Sequence, residues 1–275
     1  MSKQEQYDAI IIGAGQSGTP LSTTLANAGW KVALVEREHV GGSCINEGCT
    51  PTKTMVASAR IAYLTRRAAD YGVQTGPVSV DMGKVRQRKR DIVNSFRSGS
   101  QGRVEAADNA DLLFGEARFV GPKAVEVDLN AGGTRQLTAD KVFINTGAQP
   151  RVPSLPGLEG VPYLNSTTIM ELGEVPDHLL IIGGGYVGLE FGQMFRRFGS
   201  NVTILQRGKQ LLSREDPDVA QEVAEILGEE GIQILLETEP VRAELEEGGQ
   251  IRLVLDTADG EGSATGSHLL IAAGR

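Results

Sequence analysis

One pattern occurs twice in this chain, 170 residues apart and without a gap. Residues 7–37 read YDAIIIGAGQSGTPLSTTLANAGWKVALVER. An apolar run from Ala9 to Ile12 leads into the glycine turn Gly13-x-Gly15-x-x-Gly18. A helical segment follows to about Gly29, and a second apolar run, Val32 to Val35, ends at Glu36. Residues 179–207, LLIIGGGYVGLEFGQMFRRFGSNVTILQR, place Gly183, Gly185, Gly188, Gly199, Val202 and Gln206 at the matching positions. Strand, glycine turn, helix and strand is the context in which GxGxxG marks a dinucleotide site. The glycines allow a tight turn and bring the N–H groups of a helix start against a pyrophosphate. A lone GxGxxG says little. Two complete copies in register predict an α/β chain with two dinucleotide sites; the competing reading is two glycine-rich turns with no ligand.

The copies differ where the adenosine ribose is read. A carboxylate at Glu36 can accept hydrogen bonds from ribose hydroxyls. Gln206 lacks the charge that would repel a 2′-phosphate, and Arg207, Lys209 and Arg214 lie just beyond it. This predicts NADPH at the second site, with NADH as the alternative. Arg37 stands beside Glu36 as Arg207 stands beside Gln206, so Arg207 alone decides nothing, and a solvated basic loop is the competing reading.

The chain has only two cysteines in 275 residues, and both lie in GGSCINEGCTPTK, residues 41–53, just after the first copy. Two cysteines are no disulfide framework for a chain of this length, and a close pair reads as metal-binding or redox-active. Zinc normally takes four ligands and only His39 is near in sequence, so no metal site is expected. Cys44 and Cys49 can close a small ring across the start of a helix read over Pro51–Arg67. There the helix N-terminus and Lys53 favour a thiolate. Idle buried thiols are the alternative.

Residues 54–71 and 82–97 read as helices. The second carries Lys84, Arg86, Arg88, Lys89 and Arg90. With a net charge of -8 and no interleaved aromatics, this is read as a solvated helix face, not a nucleic-acid patch. Residues 112–145 alternate short apolar runs with turn residues, as an antiparallel meander does. The Pro/Gly-rich RVPSLPGLEGVP at 151–162 marks a boundary, giving domains 1–150 and 151–275. Later strands are read at 232–237, 251–256 and 269–274. His39, His178 and His268 lack a partner pattern and read as structural or solvated. No apolar run approaches the ~20 residues that cross a bilayer. The start, MSKQEQYD, lacks the basic and apolar stretches of a signal peptide, so a cytoplasmic protein without membrane or nucleic-acid partners is expected.

Together these pieces resemble the class I pyridine nucleotide–disulfide oxidoreductases, the flavoproteins that include dihydrolipoamide dehydrogenase, glutathione reductase and mercuric reductase. The carriers are GAGQSG, GGSCINEGCTPTK, INTGAQPRVPSLPG at 144–157, GGGYVGLE and LLIAAGR, in the family's order. CTPTKTMVASAR and REDPDVA at 214–220 look closest to the mercuric-reductase-like branch. The resemblance implies two Rossmann-like FAD- and NAD(P)-binding domains of the glutathione reductase type, with the meander in the first. It implies FAD at Gly13, Gly15, Gly18, Gly42, Ser43, Ala117, Thr146 and Gly147, with Glu36 on its ribose. It implies NADPH at Gly183, Gly185, Gly188, Gln206, Arg207 and Gly274. Cys44 would be the interchange thiol, and Cys49 would lie against the flavin in a charge-transfer complex. Lys53 would sit near the flavin as a buried lysine with Glu190 as counter-charge. Tyr186 would cover the nicotinamide pocket until NADPH arrives. A surface charge for Glu190 and a core aromatic for Tyr186 are the plainer alternatives.

The implied activity passes a hydride from NADPH through FAD to the Cys44–Cys49 disulfide, and on to a small-molecule or protein disulfide or a thiol-bound metal ion. Mercuric reductase proper is the nearest rival. No metal-binding cysteine pair precedes Tyr7, and Tyr186 stands where a smaller residue is expected in that enzyme. A non-catalytic FAD/NAD(P)-binding redox sensor, or an inactive fragment, is the rival from another class. Family members continue beyond the point matching Arg275 with a second flavin contact and an interface domain carrying a His–Glu acid/base pair. The expectation is therefore a truncated chain that holds FAD weakly, lacks the usual homodimer surface and turns over disulfides poorly.

Overall fold

The computed structural model describes residues 4–275; Met1–Lys3 of the N-terminal stretch lie outside the described residues. The chain forms two compact units. One comprises the residues up to Thr52 with Lys89–Ala148, the other Lys53–Arg88 with Gln149–Arg275. Lys53–Arg88 belongs to the second unit although it precedes Lys89–Ala148 of the first in the chain. The causes are local to that unit. Met55, Ala59 and Met82 are buried in one apolar cluster with Phe191, Met194 and Phe195. Arg88 donates to the Thr54 carbonyl at 2.8 Å, and Arg86 donates to the Glu171 carbonyl at 2.8 Å.

The first unit contains β1 (Glu5–Ile12), α1 (Gly18–Asn27), β2 (Val32–Glu36), α2 (Gly42–Asn46), β3 (Ala110–Gly121), β4 (Ala124–Leu129) and β5 (Thr134–Ile144). It also holds the first residues of α3 (Cys49–Arg66) and the later part of α4 (Met82–Glu105). The five strands close into a barrel. β1 runs parallel to β2 and β5 and β2 parallel to β3, while β3–β4 and β4–β5 are antiparallel. The long β3 serves two neighbours: Ala110–Phe114 pair with β2, and Gly115–Gly121 with β4. The apolar runs of β1 and β2 are continuous because both faces are covered. Ile10, Ala33 and Val35 join one cluster with Val125, Val127 and Leu137 of β4 and β5. Ile11, Val32 and Leu34 join another with Ala26 of α1 and Val104 of α4.

The second unit contains the rest of α3 and α4, then β6 (Tyr163–Leu164), β7 (His178–Ile182), α5 (Tyr186–Phe198), β8 (Asn201–Leu205), α6 (Pro217–Glu229), β9 (Gln233–Leu235), β10 (Glu239–Leu245), β11 (Ile251–Thr257), β12 (Gly260–Gly266) and β13 (His268–Ile271). A parallel sheet runs β6-β13-β7-β8-β9, and β10-β11-β12 form a separate antiparallel sheet. The cluster around Phe195 and Ile204 is joined by α5 and α6, and a second cluster unites Leu180, Ile182 and Leu269 with Leu253 and Leu255 of β11.

The sequence repeat is a structural repeat. Ala9 pairs with Val32 and Leu179 with Val202, in the same register. Gly13 N–H donates to Val35 O at 2.8 Å and Gly183 N–H to Leu205 O at 2.9 Å. Gly29 and Gly199, with φ +85° and +124°, end the two helices in a conformation that costs glycine little.

Several boundaries differ from the sequence reading. α3 begins at Cys49, not Pro51, and ends at Arg66, with a short 3₁₀ turn over Ala68–Tyr71. α4 extends to Glu105. The strand read at 232–237 stops at Leu235, shortly before Glu237 enters the left-handed region at φ +49°. Arg86 and Arg88 of the basic run spend their guanidinium groups on the carbonyls named above, and Lys84 faces Asp81 at 3.8 Å. No helix among the described residues is long and apolar enough to cross a membrane.

Candidate active site

The first glycine turn is shaped by close backbone contact. A Cβ on Gly13, φ +101°, would meet Asn145 O at 2.2 Å, and one on Gly18 would meet Gly13 O at 2.0 Å. Glu36, at the end of β2, accepts from Ala14 N–H at 2.8 Å through Oε2 and from Glu38 N–H at 2.9 Å through Oε1. Its carboxylate is thereby fixed beside the turn, where a ribose hydroxyl can reach it.

The cysteine segment is held on this same turn. Gly41 N–H donates to Ala14 O at 2.8 Å, and Gln16 Nε2 donates to Gly41 O at 3.1 Å. Gly42, φ +59°, comes so close that a Cβ would lie 2.6 Å from Gly15 Cα. The sequence reading missed Asn46. Its Nδ2 reaches the carbonyls of His39, Val40 and Gly42, and its Oδ1 accepts from Arg97 Nε at 2.9 Å. Asn145, also missed, donates to Gly13 O at 3.2 Å. Both are single amides with no spacing rule to expose them.

Cys44 lies on α2 and Cys49 is the first residue of α3. Both thiols are free, Cys44 half-buried and Cys49 exposed. Burial first, then the neighbouring Cys49 thiol, pushes the Cys44 thiol above the ordinary cysteine range. Ser43 O accepts from Glu47 N–H at 2.8 Å within α2. Thr146 and Gly147 follow β5 and are exposed. Ala117 lies opposite Val127 on β3 and packs against the barrel cluster.

The second turn repeats the first. Gly183, φ +117°, approaches Ala272 O, where a Cβ would lie at 2.4 Å, and a Cβ on Gly188 would meet Gly183 O at 2.0 Å. Gly184 N–H donates to Gln206 Oε1 at 3.0 Å, as Ala14 does to Glu36, and Gln206 Nε2 donates to Gln210 O at 3.1 Å. A side chain at Gly185 would meet nothing within 4 Å, so the start of α5 opens to space. Gly274, φ +109°, accepts from Arg151 N–H at 2.9 Å through its carbonyl. Each turn therefore presents a helix start, a close-approach glycine and a side-chain acceptor, which together fit a dinucleotide.

Around the second turn the charges are partly committed. Arg207 faces Glu239 at 3.7 Å with both side chains exposed, so it is not a free cation, while Lys209 is exposed. Tyr186, 65% exposed at the start of α5, is no core aromatic; its hydroxyl donates to Glu215 Oε1. Lys53 Nζ pairs with Glu190 Oε1 as expected. The lysine side chain is 67% exposed, and the carboxylate, at 30%, is the better covered partner. The pair lines a cavity of about 430 Å³ with Val56, Leu189, Met194 and Leu227. His178 Nε2 lies 2.9 Å from Thr203 Oγ1, His268 Nδ1 lies 3.0 Å from Ser267 Oγ, and burial lowers both pKa values. Among the described residues no group of three or more His, Cys, Asp or Glu could hold a metal ion.

Comparison with known proteins agrees with this geometry. A family model described as pyridine nucleotide-disulphide oxidoreductase matches residues 7–275. Mercuric reductase of Lysinibacillus sphaericus is 36% identical over 99% of this chain and 49% of its own length. The probable pyridine nucleotide-disulfide oxidoreductase RclA of Escherichia coli is 40% identical over 84% of the chain and 49% of its own length. The solved Cu(II) complex of the HOCl-induced flavoprotein disulfide reductase RclA from Escherichia coli matches with TM-score 0.85 and 38% identity, covering 98% of this chain and 57% of that one. The chain spans about half the length of the curated relatives it matches.

Proposed function

The chain belongs to the pyridine nucleotide-disulphide oxidoreductase family, and from that premise we propose that it is the nucleotide-binding part of a flavin-dependent NAD(P)H:disulfide oxidoreductase. The observation that carries this reading is the contact of Gly42 with Gly15, which makes the cysteine segment and the first glycine turn one assembly. We read the first unit as an FAD-binding and the second as an NAD(P)H-binding Rossmann-like domain of the glutathione reductase type, with the β3–β4–β5 meander in the first.

When bound, FAD supplies two-electron chemistry and the nicotinamide nucleotide supplies the hydride that feeds it. Gly13, Gly15 and Gly18 admit the FAD pyrophosphate, Glu36 orients its ribose, and Gly42, Ser43, Thr146 and Gly147 complete the contact. Gly183, Gly185 and Gly188 do the same for the second nucleotide, with Gly274 at its edge. Uncharged Gln206, with Lys209 and Arg214 in the following loop, favours NADPH over NADH. Lys53, charge-matched by Glu190, serves the flavin as the resemblance implies. The Cys44–Cys49 disulfide takes up two electrons and two protons to become the dithiol. Cys44, deprotonated, attacks a substrate sulfur and releases the first thiol. Cys49 then closes on Cys44 and releases the second. The substrate class is a disulfide or a thiol-bound metal ion. The whole protein is proposed to be a cytoplasmic homodimer.

Mercuric reductase proper is the second reading, favoured by identities of 33% to 38% over 98% or more of the chain with mercuric reductases of several bacteria. NADPH oxidation by the FAD-reconstituted chain, compared between a disulfide and Hg(II) with excess thiol, tests both. Faster turnover with Hg(II) selects the second reading. A chain that binds neither FAD nor NADPH sinks both.

A further inference from the structure

We propose that Glu215 is a latch on Tyr186: its carboxylate holds the phenol at the start of α5, and a nicotinamide dinucleotide occupies the second turn fully only by breaking that bond. This rests on the reading of the second turn as the NADPH site.

Leu212 has φ +47°, a left-handed conformation uncommon for a residue with a bulky side chain. It lies 170 positions after Gly42, which has φ +59°. The repeat therefore keeps a left-handed residue beside each turn, and in the second copy it does so with a leucine, at a cost in strain. The loop so shaped is tied to the turn along its length. Leu212 N–H donates to Gly184 O at 2.9 Å, and Glu215 N–H donates to Leu212 O at 2.8 Å. Gln210 Nε2 donates to Glu215 O at 3.0 Å, while Gln210 O accepts from Gln206, which in turn accepts from Gly184 N–H. Glu215 thus has its backbone fixed from two sides before its carboxylate meets the Tyr186 hydroxyl.

The chemistry of that meeting opposes a nucleotide. Tyr186 directly follows Gly185, so its own N–H belongs to the helix start that would face a pyrophosphate. A carboxylate anchored to the Tyr186 side chain places negative charge near that anion site. Tyr186 is largely exposed, so packing does not require the bond. In the first copy the residue matching Tyr186 is Gln16, which donates to the Gly41 carbonyl, a neutral acceptor that carries no such charge.

The test compares NADP⁺ with its adenosine end, adenosine 2′,5′-bisphosphate, by calorimetry on the chain and on Tyr186→Phe, Glu215→Gln and the double variant. Each single variant is expected to bind NADP⁺ about three- to tenfold more tightly, the size of one exposed charge-assisted hydrogen bond. The double variant should gain no more than the larger single, and the bisphosphate, whose 5′-phosphate faces the same helix start but which has no nicotinamide end, should gain less than NADP⁺ in each variant. In spectrophotometric titration the Tyr186 phenol, which Glu215 holds above the ordinary tyrosine range, should ionise at lower pH in Glu215→Gln; this readout does not depend on nucleotide. If the chain binds both ligands while the variants leave NADP⁺ affinity unchanged or weaker, or if their effects add, the latch is overturned and the nucleotide reading stands. If the unmodified chain binds neither ligand, the nucleotide reading falls and the latch falls with it.

Discussion

Gln206 stands where Glu36 stands. Each sends a side-chain oxygen to the N–H of the residue after the first glycine of its turn, at 3.0 Å to Gly184 and 2.8 Å to Ala14. The two copies thus share a geometry and differ in one charge. Gln206→Glu keeps the acceptor but introduces a carboxylate, which repels a 2′-phosphate and accepts from a ribose hydroxyl. NADP⁺ affinity should fall about tenfold or more, with NAD⁺ affinity held or improved. Calorimetry with both nucleotides checks this.

Gly18 and Gly188 should not tolerate a methyl group. A Cβ at either would lie 2.0 Å from a backbone carbonyl oxygen, and backbone cannot move aside as a side-chain tip can. Gly18→Ala and Gly188→Ala should each cost about 3 kcal/mol or more. Gly228→Ala is the control: it lies within α6 with nothing within 4 Å of an added Cβ, and should gain up to about 1 kcal/mol. Thermal melts of the three variants decide the matter.

Arg197 and Glu230 form the best covered of the ion pairs described, with side chains 17% and 10% exposed. Two guanidinium bonds at 2.8 and 2.5 Å join them, and Gln193 donates to the same carboxylate. The guanidinium also lies 4.4 Å from the Tyr63 ring centre. Glu230→Ala strands a largely buried cation and should destabilise the second unit by about 3 kcal/mol, read from urea unfolding.

His178 and His268 set an acid limit. Burial lowers both pKa values, and Glu174 and Asp177 only partly offset this at His268. The unfolded chain therefore takes up protons first as pH falls. The stabilisation is fully present above the ordinary histidine range and is lost as pH drops through it. Unfolding midpoints should decline below about pH 6.5, and His178→Gln should flatten that decline.

The repeat was legible because it is written in residue types that tolerate few substitutes: glycines at fixed spacing, β-branched runs, and an acceptor at the end of the second strand. The Lys53–Glu190 pair was legible only through resemblance, since nothing in the spacing joins residues so distant in sequence. Barrel closure was not legible. It depends on β5 pairing with β1 from Glu5 to Ile12, a long-range choice that local patterns do not encode. The packing of Lys53–Arg88 with the second unit was hidden for the same reason, since Met55 and Ala59 look like core residues of whichever unit receives them. Leu212 was missed because a leucine gives no hint of a left-handed backbone.

The central claim is that the cysteine pair beside the first glycine turn is reduced by NADPH through bound flavin. The direct measurement oxidises the chain, reconstitutes it with FAD, adds NADPH without oxygen, and counts thiols by alkylation and mass spectrometry. The account predicts two new thiols per chain, at Cys44 and Cys49, none without FAD, and none in a Cys49→Ser variant. Bound FAD and bound NADPH with the disulfide left intact would contradict it.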